Sequence, residues 1–206
     1  MTRNLFLPAM VAGVLTSSLF ANSAAAAARV GAKAPAFSAS DSEGNQHKLA
    51  DYKGKYIVLE WFNHGCPFVQ KHYESGNMTA MQKKWRDKGV VWLAINSGAK
   101  GKQGYEDAEQ TNKTAKEKGT AASAILLDSS GQVGKLYGAT ATPHMFVIDP
   151  KGTVIYAGAI DSIASTEKAD IAKATNYVDA ALQAATSGKS VTVKQSPAYG
   201  CGVKYE

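Results

Sequence analysis

The chain contains two cysteines, and the first of them, Cys66, stands where a thiol could do chemistry. It follows an apolar run that ends at Phe62, and it lies between Gly65 and Pro67. Proline is favoured in the first turn of a helix, because the N–H that it lacks would have no partner there. We therefore expect Cys66 to be the N-cap of a helix with its sulfur facing solvent, and Gly65 to leave room for another molecule.

A cysteine at the start of a helix is reactive rather than inert. Unpaired backbone N–H groups and the positive end of the helix dipole stabilise a thiolate, so they lower the pKa of the thiol. The alternative is an unreactive core cysteine, but a core cysteine is more typical of the apolar run itself. The pattern therefore favours thiolate chemistry at Cys66.

The segments around Cys66 alternate between strand and helix patterns. Apolar and β-branched runs predict strands over 56–62, 90–96, 125–128, 144–149 and 153–160, with a small hairpin over 41–49. Helices are predicted over 67–88, 104–118, 132–137 and 174–185, the first of them interrupted at Gly76-Asn77, where Asn77 would act as an N-cap. This order predicts an α/β protein whose sheet is mostly parallel, covered by helices on both faces, with an antiparallel edge.

The edge of this sheet is the predicted location of an active site, because such sites lie outside the carboxyl ends of parallel strands. Strand 56–62 runs directly into Cys66. Loop 97–105, which carries Lys100 and Lys102, follows the next parallel strand and is expected at the same edge. It would serve there either as a lid or as a solvated connector.

Residues 1–28 are predicted to be a signal peptide. Arg3 precedes an apolar stretch over 5–20, and small residues with several A-x-A sites follow, so the mature chain is expected to begin between residues 24 and 29. An uncleaved anchor is the alternative, but the apolar stretch contains Pro8 and falls short of the ~20 residues that span a bilayer. We expect an exported protein that is located in the periplasm and has no stable membrane anchor.

The remaining chain is expected to form one domain over 29–190, followed by a tail over 191–206 that carries Cys201. The net charge of +6 comes from dispersed lysines, and Arg29 and Arg86 are the only arginines after Arg3. A chain without an arginine patch is not expected to bind nucleic acid. In the oxidising space outside the cytoplasm the two cysteines could pair, and the Gly- and Pro-containing tail is expected to be flexible enough for that reach.

Three segments, GCPFVQKHY, TPHMFVIDPKGTVIYAGAID and YGCGVKY, carry a resemblance to a known family. They are similar to the redoxins, the alkyl hydroperoxide reductase and thiol-specific antioxidant family, in its secreted peroxiredoxin-like and thioredoxin-like branch. The resemblance covers roughly residues 30–206. It implies a thioredoxin-like three-layer α/β/α sandwich with a mixed central sheet and an N-terminal β-hairpin extension.

The resemblance also implies roles for particular residues. Thr142-Pro143 matches the cis peptide bond that faces the reactive cysteine and exposes backbone to a substrate chain. Glu60 matches a buried acid that exchanges a proton with the thiol, and burial would raise its pKa. The alternative for Glu60 is a solvated face of its strand. Cys201 matches a tail cysteine and is the candidate resolving residue.

The sequence departs from the active-site patterns of two groups of proteins with this fold, the thioredoxins and the peroxiredoxins. Val69 stands where thioredoxin has its second cysteine, so only Cys201 could close a dithiol cycle. Leu59 and Asn63 stand where peroxiredoxins carry a proline and a hydroxyl residue, and no arginine lies near Cys66 in sequence. His64 and nearby lysines remain as electrostatic substitutes for the missing peroxide clamp.

The residues favour an exported thiol–disulfide oxidoreductase whose partner is a protein disulfide, a protein thiol or a small peroxide. Cys66 and Cys201 are the catalytic candidates, and the supporting residues are Glu60, His64, Gly65, Pro67, Thr142 and Pro143. One alternative is a thiol peroxidase with an unusual site. The other is a non-enzymatic copper-handling or binding module with a structural disulfide, in which His64, His72 and His144 would converge. We expect no metal and no cofactor, and the oligomeric state stays open.

Overall fold

The computed structural model describes Met1 and residues 27–206. The predicted signal peptide therefore lies almost wholly outside the described residues, and it stays a prediction. Within the described part of the chain, none of the helices combines the length and the apolar character that crossing a bilayer requires.

A five-stranded mixed sheet forms the centre of the fold, in the order β5-β4-β3-β7-β8. Its strands are β3 (Ile57–Trp61), β4 (Val91–Asn96), β5 (Ala124–Leu127), β7 (His144–Ile148) and β8 (Val154–Gly158). β3, β4 and β5 are parallel, whereas β7 runs antiparallel to both β3 and β8. The predicted mixed sheet with an antiparallel edge is confirmed.

Five α-helices connect or follow these strands: α1 (Pro67–Glu74), α2 (Asn77–Arg86), α3 (Ala108–Lys118), α4 (Gln132–Tyr137) and α5 (Tyr177–Thr186). The predicted interruption of the first helix is confirmed, but Asn77 is not its N-cap. Gly76 caps α2 instead, in the left-handed conformation with φ of 74°. Glycine adopts this conformation without the steric cost that a β-carbon imposes.

The two faces of β3 divide the core into two layers. Side chains alternate along a strand, so Val58 and Glu60 point to one face while Leu59 and Trp61 point to the other. On the first face, apolar side chains from α1, α2 and α5 pack together with Cys66. On the second face, α4 and the N-terminal segment cover the sheet, which gives the predicted three layers.

The N-terminal hairpin begins earlier than predicted. Its strands are β1 (Ser38–Ser40) and β2 (Gln46–Lys48), paired antiparallel. Asp41 forms the turn between them, because its carboxylate accepts hydrogen bonds from the backbone N–H groups of Glu43 and Asn45 at 2.9 and 2.8 Å. An aspartate that binds its own loop in this way is a strong turn former.

The C-terminal tail is docked on the domain rather than free, contrary to the expected flexibility. The backbone N–H of Ser196 donates to the carbonyl of Ala157 next to β8, at 3.2 Å. Beyond it, β9 (Cys201–Gly202) pairs antiparallel with β6 (Ala141–Thr142). Both strands are only two residues long, which explains why neither was predicted from the sequence.

Candidate active site

Cys66 is the N-cap of α1, as the Cys-Pro step predicted. Its backbone is extended, with φ of −87° and ψ of 123°, and Pro67 is the first helical residue. The carbonyl of Cys66 accepts the first helical hydrogen bonds, from the N–H groups of Val69 and Gln70, each at 2.9 Å. The thiol therefore lies at the positive end of the helix dipole.

The expectation that the sulfur of Cys66 faces solvent is wrong. Cys66 has an exposed fraction of 0%, although Gly65 and Pro67 on either side of it are exposed. The docked tail contributes to this burial, because Cys201 packs against the core cluster that contains Cys66. The space beside Gly65 is also occupied, since a β-carbon there would lie 2.8 Å from Nε2 of Gln103.

Thr142 contacts both cysteines. The Thr142-Pro143 peptide bond is cis, as the resemblance implied. The thiol of Cys66 donates to the carbonyl oxygen of Thr142 at 3.2 Å, and Thr142 pairs with Cys201 in the register between β6 and β9. The tail therefore takes the backbone positions that were expected to receive a substrate chain.

Cys201 packs against the core cluster that contains Cys66, and the two thiols shift each other's pKa in opposite directions. Burial acts to raise the pKa of Cys66, but the polar groups of Cys201, Thr142 and the backbone of Val69 outweigh it, so the pKa lies below the ordinary 9.0. Burial and then the Cys66 sulfur raise the pKa of Cys201 to about 11. In the reduced pair, Cys66 is the group that ionises.

Gly200 permits the close contact between the tail and Thr142, and sequence reasoning did not identify it. A β-carbon at Gly200 would lie 2.0 Å from the carbonyl oxygen of Thr142, and the φ of Gly200 is +127°. Only glycine meets both conditions without a clash. A glycine directly before a cysteine is too common a pattern to have identified this role.

Glu60 is fully buried, so the solvated alternative is wrong. Its carboxylate accepts hydrogen bonds from the hydroxyl of Tyr73 at 2.8 Å, from Nε2 of Gln82 at 2.9 Å and from Nε1 of Trp92 at 2.7 Å. Burial raises the pKa of Glu60 despite these three donors. Glu60 shares the face of the sheet with Cys66, but its hydrogen bonds go to α1, α2 and β4.

His64 lies beside the site in an unusual buried pair. Its ring packs against Phe62 and Tyr73, with ring centroids at 4.7 and 5.4 Å. Neither ring nitrogen has a hydrogen-bond partner in the structure, and Nδ1 lies 3.5 Å from a carboxylate oxygen of Glu106. Glu106 was not identified from the sequence, because it directly follows loop 97–105 and lies 42 positions after His64.

Loop 97–105 does lie at the Cys66 edge of the sheet. Asn63 links the two, since its side chain accepts from the N–H of Gly65 at 2.9 Å and donates to Gln103 at 3.0 Å. The loop also holds the tail, through a 2.8 Å hydrogen bond from the N–H of Ala99 to the carbonyl of Lys204. Lys100 and Lys102 are exposed.

The three histidines of the copper alternative do not converge. His144 stacks on Phe146, on the opposite face of the sheet from Cys66. His72 lies on α1 with Nε2 at 3.7 Å from Asp161. It is more than one helical turn into α1, whereas His64 precedes this helix. Within residues 27–206, no group of three histidine, cysteine or acidic side chains is arranged to hold a metal ion.

Known proteins are similar to this chain in sequence and in fold. Residues 30–157 match the AhpC/TSA family. The thiol-disulfide oxidoreductase ResA of Geobacillus thermodenitrificans is 32% identical over 128 residues, which are 62% of this chain and 68% of the relative. A hypothetical protein from Sinorhizobium meliloti 1021 superposes with a TM-score of 0.73 and 27% identity, covering 88% of this chain and 97% of that one.

A further solved structure connects the fold to the chemistry. A putative thiol:disulfide interchange protein DsbE from Chlorobium tepidum superposes with a TM-score of 0.52 and 27% identity, covering 64% of this chain and 85% of the other. These matches confirm the thioredoxin-like fold that the resemblance implied and the thiol–disulfide oxidoreductase class expected from the sequence. The chain belongs to the AhpC/TSA family.

Proposed function

We propose that Cys66 is the nucleophile and Cys201 the resolving cysteine of an exported thiol–disulfide oxidoreductase that acts on a protein disulfide or thiol. The placement of both cysteines on Thr142 is the observation that carries this proposal: the thiol of Cys66 donates to its carbonyl oxygen, and Cys201 pairs with its backbone. Thiol–disulfide exchange requires one thiol that ionises readily and a second thiol within reach of the mixed disulfide. The pair at the start of α1 has both properties.

The first step is attack of the Cys66 thiolate on one sulfur of a partner disulfide. A bond forms between Cys66 and that sulfur, the partner S–S bond breaks, and the second partner sulfur leaves as a thiolate that takes up a proton. The helix dipole and the hydrogen bonds that lower the pKa of Cys66 supply the thiolate for this step.

The second step is attack of Cys201 on the Cys66 sulfur of the mixed disulfide. The Cys66–Cys201 bond forms, the remaining partner sulfur leaves as a thiol, and the partner has gained two electrons in total. In the mixed disulfide the Cys66 sulfur carries no charge. One of the causes that raise the pKa of Cys201 is thereby removed, and this favours ionisation of Cys201 only after a partner has bound.

Partner binding requires movement of the tail. The backbone of Thr142 is paired with Cys201 in the closed arrangement, and Cys66 is fully buried beneath it. A partner chain therefore pairs with β6 and reaches the Cys66 sulfur after the tail has left. The return of the tail brings Cys201 to the mixed disulfide.

Export is proposed from the sequence of residues 1–28 and from the chemistry, because a disulfide cycle suits an oxidising compartment. The periplasm is the proposed location of the mature protein. N-terminal sequencing of the mature protein tests this part of the proposal, with an expected first residue between 24 and 29. Recovery of the intact N-terminus from the cytoplasmic fraction would contradict it.

The redox roles are tested by turnover with a disulfide-bonded peptide and a dithiol reductant. Cys66→Ser is expected to abolish turnover. Cys201→Ser is expected to stop after the first step and to accumulate a mixed disulfide at Cys66, visible by intact mass. Turnover of Cys201→Ser at the wild-type rate would overturn the resolving role, and hydrogen peroxide in place of the peptide tests the peroxidase alternative.

A further inference from the structure

A buried ionic cluster lies beneath the tail, and the redox chemistry described above does not use it. Asp161, which follows β8, is the acceptor at its centre. Its carboxylate lies 3.6 Å from Nζ of Lys71 and 3.7 Å from Nε2 of His72, both on α1. The hydroxyl of Tyr199 donates to the same carboxylate at 2.5 Å.

The cluster is buried, and its positive and negative side chains pair with each other. Lys71 is 1% exposed, His72 is 0% exposed and Asp161 is 4% exposed. Burial lowers the pKa of His72 to about 4, so His72 is neutral at pH 7 and the ion pair consists of Lys71 and Asp161. Lys71 also donates to the carbonyl of Ile163 at 3.1 Å. A buried pair of this kind is stable only while its hydrogen bonds are complete.

Tyr199 is the part of this cluster that belongs to the tail. Burial and then Asp161 raise its pKa above the ordinary 10.0, so the hydroxyl stays protonated as a donor. The ring packs edge-on against Phe68 in the first turn of α1, with centroids 5.8 Å apart, and Nζ of Lys71 lies 6.0 Å from its centroid. The ring therefore lies along the start of the same helix that Cys66 caps.

Only Gly200 separates Tyr199 from Cys201. A chain of two peptide units leaves little freedom between a fixed tyrosine ring and the next thiol, so the position of Tyr199 determines where Cys201 lies. On the other side of Cys201, the hydroxyl of Tyr205 donates to the carbonyl of Ala139 at 2.7 Å. The resolving thiol is thus held between two tyrosine anchors, and only Tyr199 is bonded to a buried charge.

We propose that Tyr199, bonded to the Asp161–Lys71 pair, is a positioning residue that holds Cys201 against Cys66. This inference rests on the proposed function, because it assigns a purpose to the tail only if the two thiols exchange with a disulfide. The reaction at issue is the oxidation of the Cys66–Cys201 dithiol by glutathione disulfide, which yields the protein disulfide and two molecules of glutathione. Positioning raises the effective concentration of Cys201 at Cys66 and therefore favours the protein disulfide.

Tyr199→Phe removes the hydroxyl and keeps the ring. A hydrogen bond to a charged group changes an equilibrium by about tenfold or more, so we expect docking of the tail in the reduced protein to be about tenfold weaker. As long as the tail stays mostly docked, this loss appears as faster alkylation of the reduced protein at Cys66; once the tail is mostly undocked, it appears as a less favoured protein disulfide, up to about tenfold or about 30 mV for this two-electron couple. The two fold-changes should multiply to about tenfold, and because the tail is docked in the reduced protein, most of the change is expected in the alkylation rate.

Tyr56→Phe is the matched control, because its hydroxyl donates to the backbone of Ala185 at 2.9 Å and not to the Asp161 carboxylate. It should keep the wild-type potential and alkylation rate. Equal potentials together with equal alkylation rates for Tyr199→Phe and Tyr56→Phe would overturn the inference. If the wild type forms no protein disulfide at any ratio of oxidised to reduced glutathione, the proposed function fails. The alkylation rates of Tyr199→Phe and Tyr56→Phe still decide in that case whether Tyr199 holds the tail.

Discussion

The carbonyl oxygen of Thr142 accepts a hydrogen bond from the thiol of Cys66 at 3.2 Å, and the backbone of Thr142 also pairs with the tail at Cys201. The tail therefore covers the reactive sulfur by strand pairing, and it delivers the second sulfur in the same interaction. The closed tail thus contributes to the burial of Cys66.

The first prediction concerns the effect of Cys201 on the pKa of Cys66. Cys201→Ala removes the thiol that helps to lower this pKa, whereas Cys201→Ser keeps a hydroxyl in its place. We expect the pKa of Cys66 to rise in the alanine variant and to stay below 9.0 in the serine variant. Thiolate absorbance at 240 nm against pH measures both, and identical titrations would show that Cys201 does not influence Cys66.

The second prediction concerns the close approach of the tail. Gly200→Ala places a β-carbon 2.0 Å from the carbonyl of Thr142 at a φ of +127°, so we expect the tail to detach and Cys66 to be alkylated faster. Such a backbone conformation alone costs about 1–3 kcal/mol for a residue with a side chain.

Gly202→Ala is the control for this substitution. Its β-carbon would lie 3.9 Å from the nearest atom, the carbonyl oxygen of Thr140, which is an ordinary contact. We expect wild-type alkylation of Cys66 in this variant. Slow alkylation of Cys66 in both variants would show that the tail does not control access to the thiol.

A third prediction uses the buried His144. Burial lowers its pKa from 6.5 to about 4, so its contribution to stability is complete above pH 6.5 and is lost as the pH falls toward 4. His144→Asn cannot titrate and keeps an acceptor for the N–H of Thr140, which lies 3.3 Å from Nδ1. The free energy of unfolding of the wild type, minus that of the variant, should fall by about 3 kcal/mol from pH 7 to pH 4. A constant difference in urea titrations would disprove burial of a neutral imidazole.

Glu60 gives a pH dependence of the opposite sign. Burial raises its pKa above 4.5, so the folded protein holds this proton more tightly than the unfolded chain does. The resulting stabilisation is present below pH 4.5 and is lost as the pH rises through the raised pKa. The free energy of unfolding of the wild type, relative to Glu60→Gln, should therefore decrease as the pH rises above about 4.5. An increase over the same range would mean that the three hydrogen bonds outweigh burial.

Local sequence signals were sufficient for the elements that position Cys66. The apolar run before it and Pro67 after it specify a strand and the start of a helix, and both lie where they were predicted. These signals are short-range, because a strand needs β-branched and aromatic residues and a helix start needs a capping geometry. The nucleophile candidate could therefore be identified from fewer than fifteen residues.

The surroundings of Cys66 could not be predicted in the same way. The burial of its sulfur depends on Gly200 and Cys201, which lie more than 130 positions away and carry no pattern that specifies where the tail docks. The contacts of Asp161 with Lys71 and Tyr199 are equally remote along the chain. Such contacts follow from the packing of the whole domain, so the prediction of an exposed thiol was wrong although the prediction of its helix was correct.

The most direct test of the central claim is peptide mapping of the wild-type protein by mass spectrometry after equilibration with oxidised glutathione. The account predicts one cross-linked pair of peptides that joins Cys66 to Cys201, with the loss of two hydrogen atoms from the intact mass. Two free thiols, or separate glutathione adducts on Cys66 and Cys201 with no cross-link, would contradict it.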